Sequence, residues 1–401
     1  MARILMLVAT AVANDSRVRR EAEALVAAGH SVHIIGKDVP EEFVPPVGIT
    51  VSSVGASSPF RSAGSGRPLS LPLRFGRWLM LPRHRNAVFS SWSRGAVADG
   101  RVRDYDVVHA HDFTALEAAA ELAANRGVPY VYDSHELWLG RQRQYRPTPL
   151  QDMRELRIER DIGGRAALVI TVSDGVAAAL ARAYGWSDVV VVRNSFPPAD
   201  DDPTALFAPT GLAYVGRIDG QRELETVLRA AASLPDLPLR LVGPVDEAWV
   251  MAHRADLDAV GAKLEPAVDL ETATQVLREV GLSLVTLTAG PQNHRVALPN
   301  KLFHAIQAGV PVIAADLPEL ARAVRGYDIG ELYRPGDDAG FVAAVRHAQA
   351  RYPQLVENVR NSRSEMSWPA DAATLTARYS GYPWGRPVPE ARPGDADSEG
   401  P

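Results

Sequence analysis

Short runs of consecutive apolar residues alternate with amphipathic stretches along most of this chain. The runs Arg3–Ala9, Val32–Ile35, Val107–Ala110, Val128–Tyr132, Leu168–Thr171 and Val189–Arg193 predict strands. Between them, Ser16–Ala28, Ala115–Asn125, Arg154–Arg165 and Val176–Tyr184 carry apolar residues at helical spacing. Gly29 stands where the residue after a helix belongs. Short strands apolar on both faces, joined by helices, predict a parallel sheet covered on both sides. The rhythm stops near Ser195–Pro209, where Phe196-Pro197-Pro198-Ala199-Asp200-Asp201-Asp202-Pro203 has the composition of a linker. It then restarts, with strands at Leu212–Val215, Leu239–Val242, Leu282–Leu287 and Val310–Ala314. Helices are expected at Arg222–Ala232, Leu270–Val280, Lys301–Ala308, Leu317–Arg325 and Ala339–Ala350. The fold class is therefore α/β, with two doubly wound domains over residues 1–198 and 205–367 that face each other across a cleft. The Pro-, Gly- and acid-rich residues 386–401 read as a disordered tail.

Composition narrows the function. The chain has 401 residues, 46% hydrophobic and 23% charged, which suits a globular protein of two domains. A net charge of −5 gives no overall field for nucleic acid, which is not an expected partner. The absence of cysteine excludes disulfide frameworks, thiolate metal sites and cysteine nucleophiles. Ile4–Ala13 ends in an Ala-x-Ala pattern like a secretory cleavage site, but only Arg3 precedes it and a helix pattern follows, so it reads as a buried first strand. No apolar run reaches the ~18 residues a bilayer span needs. A cytoplasmic protein is expected.

Ligands of doubly wound sheets bind beyond the C-terminal strand ends. Pro299 and Asn300 read there as a helix entry, with Asn300 the expected cap and Lys301 in the first turn. Free N–H groups and the helix dipole make such an entry a diphosphate site. Gly216 follows a strand and permits close backbone approach, while Arg217 and Arg222 can hold phosphate oxygens. After another strand, Asp133-Ser134-His135-Glu136 gathers polar groups at a sheet edge. His109, His111 and Asp112 have a metal-like spacing but lack a third ligand in sequence, so no metal site is expected.

These segments resemble the retaining glycosyltransferases of the GT-B fold, family 4, also called group-1 glycosyltransferases. The resemblance is carried in order by Asp15-Ser16-Arg17-Val18-Arg19-Arg20-Glu21, Val108-His109-Ala110-His111-Asp112, Tyr132-Asp133-Ser134-His135-Glu136-Leu137, Val192-Arg193-Asn194, Tyr214-Val215-Gly216-Arg217, Leu241-Val242-Gly243 and Leu298-Pro299-Asn300-Lys301-Leu302-Phe303. It implies two Rossmann-like domains, the first binding an acceptor and the second a nucleoside-diphosphate sugar, with no cofactor and no metal. It implies that Gly216, Arg217, Arg222, Pro299, Asn300 and Lys301 bind the donor diphosphate, that His135 contacts the donor sugar, and that Gly243 and Leu264 lie by the base. Arg193 and Asn194 fall at the hinge. Asp15, Arg17, His111, Asp133 and Glu136 are the acceptor-side candidates. Residues 368–385 would form a last helix crossing back to the first domain.

One departure stands out against the resemblance: Val296 and His304 occupy the places of two glutamates usual in the family. Neutral His accepts one hydrogen bond where a carboxylate accepts two from a ribose, so a deoxyribonucleotide donor enters as an option. A non-catalytic partner subunit and a sugar-nucleotide epimerase on the same scaffold are the competing readings. Residues 60–103 carry nine arginines against Asp99, interleaved with Phe75, Trp78, Phe89 and Trp92. Such a stretch suits either a charged acceptor or peripheral contact with anionic lipid at the inner membrane face.

Overall fold

The computed structural model describes residues 1–55, 90–141, 149–198 and 207–384. The core of the expected linker, the tail from residue 386 and the greater part of the arginine-rich stretch lie outside the described residues. The first half runs β1 (Arg3–Val8), α1 (Ser16–Ala27), β2 (Ser31–Lys37), β3 (Ile49–Val54), α2 (residues 90–101), β4 (Val107–His111), α3 (Phe113–Arg126), β5 (Tyr130–Ser134), α4 (Pro149–Ile158), β6 (Leu168–Thr171), α5 (Asp174–Tyr184) and β7 (Val189–Val191). The second half runs β8 (Gly211–Val215), α6 (Leu224–Ala231), β9 (Leu239–Val242), α7 (Glu247–Ala252), α8 (Arg254–Ala259) and β10 (Lys263–Glu265). It continues through α9 (Leu270–Val280), β11 (Gly281–Val285), α10 (Gln292–Val296), α11 (Asn300–Ala308), β12 (Val312–Ala315), α12 (Pro318–Tyr327), β13 (Gly330–Tyr333), α13 (Asp338–Ala350), α14 (Tyr352–Ser362) and α15 (Trp368–Ser380).

Both sheets are parallel. Their orders are β3-β2-β1-β4-β5-β6-β7 and β10-β9-β8-β11-β12-β13. In each, the chain builds outward one way from a central strand and then returns to build the other way. The reversal leaves a crevice between β1 and β4, and another between β8 and β11, at the carboxyl ends. The central strand β1 is apolar from its second residue on because helices cover both faces; Ile4, Leu5, Met6, Leu7 and Val8 are all buried.

Three strands were not foreseen: β3, β10 and β13. All three are sheet edges, where one side meets solvent and a continuous apolar run is not required. Helix α2 was hidden in the arginine-rich stretch. Trp92, Ala96 and Val97 are buried there, at helical spacing, and Trp92 Nε1 donates to the Gly36 carbonyl at 3.5 Å. Trp92 is thus a core residue and not a lipid anchor. Arg101 and Arg103 are paired with Glu121 and Asp99. The helix expected over Arg154–Arg165 starts earlier, as α4, and widens into a π turn over Glu159–Gly163. The widening turns Glu159 inward, where the hydroxyls of Tyr132 and Tyr184 each donate to it at 2.7 Å.

Helix α15 packs on the first domain although it follows the second in sequence. Leu375 and Tyr379 are buried among Ile4, Met6, Val18, Ala22 and Leu25, and Tyr379 Oη lies 2.6 Å from His109 Nδ1. Its anchor is Asp371, which accepts from the Arg193 side chain at 2.9 Å and from the hydroxyl of Ser195. Among the described residues, no helix is long and apolar enough to cross a membrane.

Candidate functional site

At the end of β8 the backbone of Gly216 has φ 144°, and at the end of β9 that of Gly243 has φ 143°. A Cβ on Gly243 would lie 2.2 Å from the Gly216 carbonyl oxygen, and one on Gly216 would lie 2.7 Å from Lys301 Nζ. The two glycines and the lysine thus interlock: alanine has no room against the backbone at Gly243, and at Gly216 it would be strained by the positive φ and would displace the end of Lys301. Lys301 sits in the first turn of α11, with its ammonium 4.7 Å from the centre of the Tyr214 ring. Pro299, not the expected Asn300, is the residue that caps this helix; Asn300 is its first helical residue. The Lys301 side chain is half-buried and makes no ion pair among the described residues. Burial, and then the Arg222 charge, pull its pKa down to about 7.

Arg217 and Arg222 flank this group, both leaning on Asp219, whose oxygens lie 3.2 Å and 3.6 Å from their Nε atoms. They are not equivalent. The Arg217 side chain is 59% exposed and the Arg222 side chain 26%. Arg222 also lines a cleft cavity of about 310 Å³ with Glu136, Arg141, Asn293, His294 and Pro299. Its Nε is buried without a hydrogen-bond partner among the described residues. A buried unpaired donor is costly unless an acceptor arrives.

The first domain faces this cavity with the turn after β5. Glu136 accepts from Asn293 Nδ2 at 3.0 Å, and the Leu137 backbone N–H donates to Asn293 Oδ1 at 3.1 Å, so one amide clasps the two domains. Burial, then the neighbouring Asp112 carboxylate, raise the Glu136 pKa to about 7. Ser173 Oγ donates to the Val296 carbonyl at 2.6 Å, and the Val296 side chain packs with Val172, Val176 and Leu180. An apolar residue suits position 296 because it faces the first domain. His304, in contrast, does not line this cavity. Its Nε2 lies 2.9 Å from Thr274 Oγ1, its ring stands 5.5 Å from that of Phe196, and burial lowers its pKa to about 4. The ribose-binding expectation for His304 is therefore corrected: it is a neutral interior group joining α9 to the interdomain segment.

Behind His135 lies a buried polar cluster. Arg17 Nε and Nη2 donate to the two oxygens of Asp133 at 2.9 and 2.7 Å, and Nη1 donates to the Val192 carbonyl at 2.7 Å. Glu21 Oε1 lies 2.9 Å from the same guanidinium. Asp133 Oδ2 is also 3.2 Å from His111 Nδ1 and 2.9 Å from His135 Nε2. Burial opposes the charge on His135, but Asp133 outweighs it and holds the imidazole up at about 9. It is a cation at neutral pH, and with its side chain 22% exposed it is the member that reaches the surface. Asp133 is held well below the usual carboxylate range, since Arg17 and His135 overcome its burial.

Three acceptor-side candidates are thereby corrected. Arg17, His111 and Asp133 are buried within one ion network, in which His111 Nε2 is left without a hydrogen-bond partner among the described residues. Asp15 caps α1 through the Val18 N–H and accepts from Thr10 Oγ1 at 2.9 Å. The third metal ligand missing in sequence does arrive in space: Glu21, His109, His111 and Asp133 bring four ligand-capable atoms within 4.8 Å of one another. Arg17 already supplies the positive charge that the two carboxylates require. Asn293, His294 and Arg141, which line the cleft, carried no motif that pointed to them.

Comparisons with known proteins bear on the family and the fold. The family model described as a glycosyl transferase 4-like domain matches residues 15–195, and that of the glycosyl transferases group 1 matches residues 209–350. The chain is 25% identical to a D-inositol 3-phosphate glycosyltransferase of Geodermatophilus obscurus, covering 90% of this chain and 82% of that one. It is 29% identical to a phosphatidyl-myo-inositol mannosyltransferase of Mycolicibacterium smegmatis, covering 82% and 79%. Among solved structures it is similar to sucrose-phosphate synthase from Thermosynechococcus elongatus, with TM-score 0.67, 18% identity and 94% and 98% of the chains covered. Anabaena HepE in complex with UDP aligns with TM-score 0.64 and 15% identity, over 94% and 98%. With both halves matched in order and two facing parallel-sheet domains, the chain belongs to the group-1 glycosyltransferases of the GT-B fold.

Proposed function

We propose that the protein transfers a sugar from a nucleoside-diphosphate sugar to a polyhydroxylated acceptor, as a family 4 enzyme, with retention of anomeric configuration and without a resident metal. The observation that carries the donor half is the half-buried Lys301 ammonium beside Gly216, at the start of α11 and without an ion pair among the described residues, with Arg222 Nε nearby, buried and without a hydrogen-bond partner among them. A diphosphate would satisfy both. Arg222, Lys301 and the first N–H groups of α11 then stabilise the charge that develops as the sugar–phosphate bond breaks. Protonated His135 offers a hydrogen bond to the sugar. The acceptor hydroxyl attacks on the side the diphosphate leaves, and the departing phosphate oxygen takes its proton. The clasp of Asn293 on Glu136 and Leu137 holds the two domains together beside the cleft during this step. HepE was solved with UDP, which fits a nucleotide donor of this kind.

A melting-temperature panel with UDP, GDP, dTDP and ADP, each with and without Mg²⁺, tests the reading. A nucleotide at 100 times its Kd adds about 2.7 kcal/mol. One nucleotide is expected to shift the melting temperature without metal; no shift from any of the four, in folded protein, would overturn the donor site.

Lys301 makes binding depend on pH. With a free pKa of about 7 it is mostly neutral at pH 8, and a bound diphosphate raises that pKa. Nucleotide binding at pH 8 is expected to take up about one proton, and affinity to weaken as the pH rises above 7. Calorimetry in buffers of different ionisation enthalpy measures the uptake. Equal uptake by wild type and Lys301→Met would refute the assignment.

A further inference from the structure

The short helix α10 of the second domain is set into the first. Its Val296 carbonyl accepts from Ser173 Oγ at 2.6 Å, and a Cβ on Gly175 would lie only 2.4 Å from that carbonyl oxygen. At the start of the helix, a Cβ on Gly140 would lie 3.2 Å from the Gln292 Cβ. Two glycines of the first domain thus leave a notch for α10. Asn293 stands three residues before Val296, on the same face of the helix. Its carboxamide accepts from the Leu137 N–H at 3.1 Å and donates to Glu136 Oε2 at 3.0 Å. Helix α10 is therefore seated by shape at Val296 and by hydrogen bonds at Asn293.

The Glu136 contact differs from the rest because it involves a charge. Asn293 is the one hydrogen-bond partner of this carboxyl group among the described residues, and it makes no ion pair among them. Around it, Gln221, Arg222, Leu287, Asn293 and His294 line the cavity from the second domain, so closure itself encloses the group. From the first domain it faces Asp112 before α3, His135 in its own turn, Arg141 beyond that turn and Glu159 of the π turn. From the second, the charged Arg222 and the titratable His294 line the same cavity, and burial lowers the His294 pKa. Arg141 and His135 favour the carboxylate, Asp112 and Glu159 oppose it, and burial is the largest influence, raising its pKa to about 7.

We propose that Asn293 is the latch of domain closure and that a proton on Glu136 sets its strength, so the two domains close more readily in mildly acidic than in alkaline solution. An enclosed carboxylate without a cation loses hydration that nothing replaces; a neutral carboxyl group loses far less. Asn293 can donate to either form, so protonation keeps the clasp and removes most of the cost of closing. Opening withdraws the second-domain lining and returns Glu136 to water, where its pKa falls towards the ordinary carboxylate range. The pKa is higher closed than open, so closure takes up a proton. This contribution is complete below the open-state value, fades as the pH rises through about 7, and is absent above it. The latch goes beyond the donor reading and does not need it, because closure can be followed without nucleotide.

The chain has no cysteine, so a pair of fluorescent dyes can be attached at Ala124→Cys of α3 and Ala252→Cys of α7, both exposed positions. Energy transfer in the full-length protein, without nucleotide, reports the ratio of closed to open molecules. With Glu136 and Asn293 intact, this ratio is expected to fall roughly tenfold from pH 6 to pH 8. Glu136→Gln stays neutral and still accepts from Asn293, so its ratio is expected to hold at both values. Asn293→Ala is expected to lower the ratio roughly tenfold at pH 6, through the loss of both hydrogen bonds. An equal pH response with and without Glu136→Gln would overturn the role of the proton. An unchanged ratio in Asn293→Ala would overturn the latch, and Glu136→Gln keeps the test decisive should Asn293→Ala fail to fold. Failure of the donor reading is seen separately, as no melting shift with any nucleotide.

Discussion

Replacing Arg17 with methionine is expected to destabilise the first domain by about 3–5 kcal/mol, the cost of removing one partner from a buried ion network. Methionine keeps most of the apolar stem, so lost packing adds little. The cost lies in what remains. Arg17 is fully enclosed and donates three hydrogen bonds, two to Asp133 and one to the Val192 carbonyl, while also balancing Glu21. Without it, two buried carboxylates and a backbone carbonyl lose their cation. Glu21, whose pKa burial already raises, would take a proton. Arg17→Lys is expected to recover little, because an ammonium cannot span both Asp133 oxygens and reach the Val192 carbonyl. Denaturant unfolding followed by a probe in the first domain measures the effect. A loss below about 1 kcal/mol, the level of an exposed pair, would show that the network does not hold this domain together.

Arg222→Ala is expected to cut sugar release from the activating donor by roughly 10²–10³, the range for losing one preorganised donor to a developing anion. Arg217→Ala is expected to cost less. Both follow the same strand end, and the sequence alone made them equal. The structure separates them, since Arg222 lines the cleft with an unsatisfied Nε while the Arg217 side chain stands mostly in solvent against Asp219. The measurement is steady-state release of sugar and nucleotide by each variant, beside its melting temperature. A larger defect in Arg217→Ala, with both proteins folded, would reverse the assignment of the leaving-group contact.

The sequence revealed the central strands and the helices between them because burial on both faces forces an unbroken apolar signal. Helix α9 and strands β6 and β9 are found with the expected ends. Edge strands escaped because solvent relaxes that demand, and α2 escaped because its buried Trp92 is surrounded by arginines. For the site, glycines and cations at strand ends were legible, since backbone approach and charge leave residue types behind. Direction was not legible. Whether His304 faces a ribose or Thr274, or Arg17 an acceptor or Asp133, depends on helix rotation against a neighbour that no local spacing encodes.

Helix α15 has a consequence for the order in which the molecule is made. The core of the first domain closes over Leu375 and Tyr379, which leave the ribosome after both sheets. The half translated first is therefore completed last. Until then, a wall of Ile4, Val18 and Leu25 stands open, and His109 lacks its Tyr379 partner. The second domain, whose core draws on residues near 212 to 366 with, among the described residues, only Phe196 packing from before them, has its parts together sooner. Vectorial synthesis thus favours a nascent chain with a finished second half and an unsealed first half, and activity waits on the last turn of helix to dock.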